Sequence, residues 1–398
     1  WLSIFGGSGW HWDGRRMQYY LHNFLVSQPD LNFHNPAVQD ALLGEMRFWL
    51  ERGVDGFRLD TVNFYFHSQG LENNPPVRPE DYNASTAPAV NPYNLQEHLY
   101  DKSQPENIAF LQRVRGLLDE YPGTTAVGEI GDAQHQLEIM AQYTSGTDKL
   151  HMCYTLGGEY TAAHFRDALR LTQEKAPDGW ICLAFSNHDV VRHVSRWAPH
   201  GFEDRLTRQA ALLLLTMRGS VCLYQGEELG LTEAEIAYDD LVDPYGIEFW
   251  PEFKGRDGCR TPMVWQSHVR NGGFSTANRT WLPVPAQHLP YAVDQQDNVA
   301  NSILSLYRAI LRFRREHPVL IKGNLELVEG MPDTVLAFTR AVGEDKLFCA
   351  FNMGVEPTIV DLPEGLLLED AGAPGADAQL EGNRLSFGPF GAYIGRIN

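Results

Sequence analysis

The chain has 398 residues, 43% of them apolar and 21% charged, an ordinary globular composition with length enough for a core that needs no staples. Its 51 acidic residues against 32 Lys and Arg leave a formal charge of −19, which repels phosphate backbones and anionic lipid surfaces and argues against a nucleic-acid or membrane-surface role. No apolar run approaches the roughly 20 residues that a transmembrane helix needs.

In chain order, residues 1–35 carry no long periodic segment and read as the tail of an excursion ahead of a helix. After the turn Asn35-Pro36, Val38, Leu42, Met46, Trp49 and Leu50 fall near one helical face. A strand is predicted over Val54–Asp60. The Pro- and Asn-rich stretch from Phe64 to about Ser103 follows, far longer than the usual strand-to-helix connection of roughly 2–6 residues. Then come a helix over Ile108–Leu118, strands over Thr125–Glu129 and Leu150–Leu156, a helix over Tyr160–Leu171 and a strand over Trp180–Asp189. A helix over Leu206–Met217, a strand over Ser220–Glu227, an insertion from Leu231 to Gln295 and a helix over Ile303–Phe313 complete the pattern.

Short apolar strands ending in polar residues, alternating with helices, predict an α/β fold of (β/α)8 barrel type with its active face at the strand C-termini. Five strand–helix units can be counted where a closed barrel needs eight. About three units, roughly 90 residues or more, are therefore expected to precede Trp1. On that reading residues 1–35 end a subdomain inserted between barrel strand 3 and helix 3, and residues 36–322 form the catalytic barrel. From Gly323 the pattern changes to short alternating runs such as TVLAFTR and KLFCAFN, predicting a separate C-terminal antiparallel β-sandwich over residues 323–398.

The five cysteines (Cys153, Cys182, Cys222, Cys259 and Cys349) are odd in number and scattered, and are read as buried thiols rather than a disulfide framework. A reducing, cytoplasmic setting follows from that reading. Trp1 opens the chain without a Met, a cap or a signal-like segment, and is therefore not read as the biological start.

Three strand ends carry chemistry. In Gly53-Val-Asp-Gly-Phe-Arg-Leu-Asp60, period-two alternation puts Arg58 and Asp60 on one side of the strand, about 6.6 Å apart along it. A fixed carboxylate kept ionised by its Arg suits a nucleophile at an electrophilic carbon, and a structural Arg–Asp pair is the alternative. Ala126-Val-Gly-Glu129 ends an apolar strand, where Gly128 leaves space and an apolar surround would raise the Glu129 carboxyl toward a general acid. A helix cap or surface residue is the plainer reading. Phe185-Ser-Asn-His-Asp189 puts His188 and Asp189 at a third strand end, where a turn or cap is equally open. Taken jointly, two carboxylates with opposite proton demands on neighbouring strands make a double-displacement glycosidase set, whose working carboxyls stand about 5–5.5 Å apart.

The segments GFRLD, VGEI and FSNHD resemble the signature regions of the α-amylase superfamily, glycoside hydrolase family 13. Gln28-Pro-Asp-Leu-Asn32, FGGSGW, YYLHNF and RDGCRTPMVW resemble its oligo-1,6-glucosidase and α-glucosidase branch. Seven such segments in family order are far more specific than any one. The resemblance implies Asp60 as the nucleophile, Glu129 as the acid/base, and Asp189 as the residue on the sugar 2- and 3-hydroxyls. It places Arg58 and His188 in the same subsite and gives Arg256 a reach to the non-reducing-end 4-hydroxyl. It implies no cofactor for catalysis. A structural divalent cation (Ca or Mg) of this branch would belong to N-terminal positions not in this sequence.

Thr61, directly after the nucleophile, points to α-1,4 bonds, since in this branch Val there accompanies α-1,6 cleavage; simple packing is as good an account of it. The 64–103 insertion is expected to wall the entrance and restrict the pocket to disaccharides. The 231–295 insertion is expected to form a second wall, with Trp250, Phe253, Trp265 and Trp281 as stacking candidates. The resulting expectation is a retaining exo-acting α-glucosidase of short α-glucosides such as maltose, also able to transglycosylate. A sucrose-isomerase- or sucrose-phosphorylase-type enzyme, an oligo-1,6-glucosidase, and a catalytically inactive binding subunit are the competing readings. The expected partners are small sugars, with the protein a monomer or weak homodimer.

Overall fold

A computed structural model of the chain describes residues 1–82, 87–132, 135–154 and 158–398. They form two compact units. The first comprises Trp1–Gly157, Thr172–Cys182 and Asp243–Gly255, and the second Gly158–Leu171, Leu183–Val242 and Arg256–Asn398.

The first unit opens with an antiparallel hairpin of β1 (Trp10–Asp13) and β2 (Gln18–Leu21). Helix α1 (Pro36–Leu50) starts where the sequence dictates. The Asn35 side chain accepts the Ala37 N–H at 3.0 Å, and Pro36 occupies a position whose N–H would have no partner. Strand β3 (Gly56–Leu59), helix α2 (Asn107–Asp119), β4 (Thr125–Glu129), helix α3 (Gln136–Thr144) and β5 (Met152–Tyr154) follow. The three strands form a parallel sheet in the order β3-β4-β5, with Leu59 opposite Gly128 and Glu129 opposite Tyr154. Val62, Leu111, Val114, Ala126, Met140 and Cys153 make its core. Gly128 leaves no open space, contrary to the sequence reading. A Cβ built there would lie 2.8 Å from Leu150 Cδ1 and 3.0 Å from both Cys153 Sγ and Val62 Cγ1, so the hydrogen is what lets these side chains close over the strand.

The next elements are α4 (Ala162–Lys175), β6 (Cys182–Leu183), α5 (His193–Trp197), α6 (Glu203–Thr216) and β7 (Ser220–Val221). Helix α7 (Pro244–Glu248) belongs to the first unit. In the second unit α8 (Val293–Gln296), α9 (Ile303–Glu316) and α10 (Pro318–Lys322) complete the helices. Leu212 to Leu215 of α6 are all buried, as in a helix covered on every side, whereas α9 buries one face, Ile303, Leu304, Leu306, Tyr307, Ile310 and Phe313.

Two expected strands are much shorter than their apolar runs. Trp180–Asp189 keeps two strand residues because side chains satisfy the backbone beyond them: Asn187 Oδ1 accepts the Asp189 N–H at 2.7 Å and Ser186 Oγ accepts the His193 N–H at 2.9 Å. Ser220–Glu227 stops at Val221, and Gly226, with φ +84°, turns the chain into a 3-10 turn over Glu227–Leu229. Of Leu150–Leu156, Met152–Tyr154 is strand and residues 155–156 lie outside the described set. Cys222 is corrected as well. It lies one residue past the shortened strand and is exposed, while the other four cysteines are buried thiols.

The C-terminal eight strands are β8 (Asn324–Leu327), β9 (Val335–Val342), β10 (Asp345–Asn352), β11 (Thr358–Asp361), β12 (Leu368–Asp370), β13 (Gln379–Glu381), β14 (Arg384–Phe387) and β15 (Ala392–Ile397). They form a five-stranded sheet, β12-β15-β10-β9-β8, and a three-stranded one, β11-β14-β13, with antiparallel neighbours throughout. Val335, Phe348 and Tyr393 from one sheet and Val360, Leu385 and Phe387 from the other share one core.

Candidate active site

In the first unit, the ends of β3 and β4 carry the two carboxylates, and one guanidinium joins them. Arg58 Nη1 pairs with Asp60 Oδ1, and Arg58 Nη2 lies 2.6 Å from Glu129 Oε2. Opposite prongs of a single planar fork thus hold two carboxyls, a spacing compatible with the roughly 5–5.5 Å of a retaining pair. The two groups differ in setting. The Asp60 side chain is 71% exposed and Glu129's only 9%. Burial opposes the Arg58 charge, but the Glu129 charge, the Tyr154 hydroxyl and Asp60 outweigh it and hold the guanidinium above its ordinary range.

Glu129 is not surrounded by apolar groups, and the sequence reading is corrected here. Besides Arg58, it accepts the Tyr154 hydroxyl at Oε1 (3.0 Å) and the Thr61 N–H at Oε2 (3.2 Å). Thr61 reaches Glu129 through its backbone because it sits in the left-handed region at φ +39°, a costly conformation for a β-branched residue and the kind that clusters at functional sites. A cavity of about 560 Å³ opens beside Asp60, lined by Thr61, Leu59 and Tyr65 together with Asp30, Met46 and Trp49. Asp30 of the QPDLN segment is pushed up to about 6, burial outweighing its bonds from Asn23.

The backbone after Glu129 is clamped. The fully buried Asn63 donates to the Gly131 carbonyl (3.4 Å) and accepts the Gly131 N–H (2.9 Å). Lys102 donates to the same carbonyl and pairs with Asp132, both at 3.1 Å. Burial would raise the Asp132 carboxyl, but Lys102's charge and the His135 N–H hold it below its usual range. Lys102 belongs to the 64–103 insertion, which is therefore fastened down near its end. Residues 83–86 of that insertion lie outside the described set.

In the second unit Asp189 Oδ1 receives two arginines, Arg256 Nη1 at 2.8 Å and Arg260 Nη2 at 2.7 Å, and His188 Nε2 lies 3.1 Å from Oδ2. Arg260 also donates to the His188 carbonyl at 2.6 Å. Sequence reasoning named Arg256 and missed Arg260, although both stand in RDGCRTPMVW. It also missed Arg192, which is buried and donates to the Gln225 carbonyl (2.7 Å) and the Cys259 carbonyl (3.0 Å). Arg192 thus ties down the turn that presents Arg256 and Arg260. Tyr154, read only as part of an apolar strand, was the third miss. Its sole sequence signal is a place one strand over from Glu129.

The aromatic candidates divide. Phe253 packs edge-on against Tyr245 at 4.8 Å, Trp250 is half-buried, and Trp265 and Trp281 are exposed. Among the described residues no three His, Cys, Asp or Glu stand together as a metal-holding group, and no helix is long and apolar enough to cross a membrane.

Residues 1–323 match the alpha amylase catalytic domain. A "probable alpha-glucosidase" of Rhizobium meliloti (strain 1021) is 54% identical over all of this chain and 72% of its own length. Maltase A1 of Drosophila melanogaster is 30% identical over 91% of this chain and 64% of its own length. Among solved structures, the alpha-glucosyl transfer enzyme XgtA superposes with a TM-score of 0.96 at 45% identity, covering all of this chain and 74% of that one. The trehalulose synthase MutB from Pseudomonas mesoacidophila MX-45 gives 0.83 at 25% identity, covering all of this chain and 75% of that one. The chain belongs to the alpha-amylase family, whose fold is a (β/α)8 barrel with a C-terminal antiparallel β-domain. It is a glycoside hydrolase, of a family that works by the retaining mechanism and needs no cofactor for catalysis.

Proposed function

We propose that the protein is a retaining, exo-acting α-glucosidase of short α-glucosides, with Asp60 as nucleophile and Glu129 as acid/base. The observation that carries this reading is Arg58 bridging both carboxyls at the ends of adjacent parallel strands. In the first step an Asp60 oxygen attacks the anomeric carbon and the glycosidic C–O bond breaks. The leaving oxygen takes its electron pair and the proton from Glu129. In the second step the Glu129 carboxylate takes a proton from water as that oxygen attacks the same carbon, and Asp60 departs with the ester electrons.

Arg58 couples the two steps. While Asp60 is charged, the guanidinium divides its field between two anions, which eases protonation of Glu129. Once Asp60 is an ester, Arg58 serves Glu129 alone and favours the base form that the second step needs. By the resemblance, Asp189, braced by Arg256 and Arg260, takes the sugar's 2- and 3-hydroxyls. A sugar alcohol replacing water in the second step would give transfer, a reading favoured by the likeness to an alpha-glucosyl transfer enzyme. The likeness to maltase A1 supports maltose as donor, with Thr61 selecting α-1,4 bonds and the 64–103 insertion limiting chain length. The likeness to trehalulose synthase keeps sucrose isomerisation as the second reading.

The test is a panel of maltose, isomaltose, maltohexaose and sucrose, with and without phosphate, on the protein and on Asp60→Asn. Maltose turnover should lead the panel, and Asp60→Asn should keep under about 1% of it, because loss of a nucleophile removes several decades of rate. Retention above that level refutes the covalent assignment. An isomerised disaccharide as the main product from sucrose would favour the second reading.

A further inference from the structure

Resting on the reading of Glu129 as the acid/base, we propose that Tyr154 is a positioning residue for that group: its hydroxyl, oriented by Arg58, holds the Glu129 carboxyl in place through both steps of the reaction. No sequence motif marks this residue. It is placed by register alone, since Tyr154 on β5 pairs with Glu129 on β4.

The direction of its hydrogen bonds is fixed. Arg58 Nε–H donates to the phenol oxygen at 2.9 Å, and guanidinium nitrogens have no acceptor capacity. The single phenolic proton is thereby directed to Glu129 Oε1, 3.0 Å away. Burial first, and the Glu129 charge second, keep the phenol protonated well above its ordinary range. The other carboxyl oxygen, Oε2, faces the Arg58 cation and the Thr61 N–H.

These two anchors respond differently to catalysis. The Arg58 ion pair is strong only while Glu129 is a carboxylate, and it weakens when the group takes up a proton. A neutral hydroxyl donates to Oε1 in either state, so Tyr154 can hold the side chain when the ion pair lapses. Among the described residues, the charged and titratable groups facing Glu129 include Arg58 and Asp60 of the β3 end, Tyr65 of the turn beyond it, and Tyr154 itself. Tyr154→Phe removes the hydroxyl and keeps the ring with its packing.

The experiment records kcat/KM against pH for the intact protein and Tyr154→Phe, on maltose and on 4-nitrophenyl α-glucoside. Maltose has a poor leaving group that must be protonated, whereas nitrophenolate leaves without help. On maltose kcat/KM should fall about ten- to a hundredfold, the size expected when a positioned proton donor is lost or misaligned. On the nitrophenyl substrate the fall should stay within about threefold. The basic limb on maltose should move to higher pH, because a donor to the carboxylate has gone. A fluorotyrosine incorporated in place of Tyr154, a stronger donor of nearly equal size, should move that limb the opposite way and serves if the phenylalanine variant folds poorly. Equal losses on both substrates with an unmoved limb, or no loss on either, overturn the proposal. Glu129→Gln in parallel separates the two readings. If it keeps wild-type kcat/KM on maltose, the assignment of Glu129 fails. If it alone shows the leaving-group-dependent loss, only the role of Tyr154 fails.

Discussion

Glu227 offers a stabilising substitution whose size depends on pH. It lies in the turn after β7, 2% exposed, where Oε2 accepts the Tyr224 N–H at 3.2 Å and Oε1 accepts the Tyr307 hydroxyl at 3.3 Å. Burial dominates and pushes its carboxyl from 4.5 up to about 8, against the pull of those two bonds. His193 Nδ1 stands 3.9 Å away but is no counter-ion, because burial, then Arg196 and Arg192, push the imidazole down to about 3. At pH 7 the folded chain therefore keeps a proton on Glu227 that the unfolded chain has released. The folded value is raised, so the stability is fully present below about pH 4.5 and is lost as pH rises toward 8, a total of about 4–5 kcal/mol at 1.36 kcal/mol per unit. Glu227→Gln keeps an acceptor and a donor in the same volume and does not titrate. With allowance for imperfect replacement of the hydrogen bonds, the variant should exceed the wild type by about 2–4 kcal/mol at pH 8 and by less than about 1 kcal/mol at pH 5. Urea denaturation of both proteins at the two pH values measures the difference, in which other titrating groups cancel. A variant equally or less stable than wild type at both pH values refutes the reasoning.

The Lys102–Asp132 pair works with the opposite sign. Asp132 is held below its ordinary value, so its stability is present above the usual carboxylate range and is lost as pH falls through the depressed value. Lys102→Met removes the cation beside that buried carboxylate while the His135 N–H stays, and should cost about 3–5 kcal/mol at pH 7, the gap narrowing as the carboxyl becomes protonated at lower pH; a pH-independent deficit in denaturation curves would contradict this. Gly128→Ala forces a methyl among Leu150, Cys153 and Val62 and should cost about 1–3 kcal/mol by the same measurement, with turnover reduced because Glu129 is the next residue.

Much of the molecule is determined by local sequence. Asn35-Pro36 starts α1, the apolar run Thr125–Glu129 is a strand over the expected residues, and the alternation after Gly323 forms the antiparallel sheets. Asp60 and Glu129 were legible because a polar residue ending an apolar strand stands out, and period two already placed Arg58 beside Asp60. The tertiary structure decided how the other groups around Glu129 are arranged. Tyr154 reads as one more apolar strand residue until the β4–β5 register sets it opposite Glu129. Arg192 and Arg260 act on groups dozens of residues away, a relation no periodicity encodes. The surroundings of Glu129 were misread for the same reason. An apolar sequence flank describes the strand, whereas the groups that determine a carboxyl's charge arrive through pairing and turns, from Arg58, Thr61 and Tyr154.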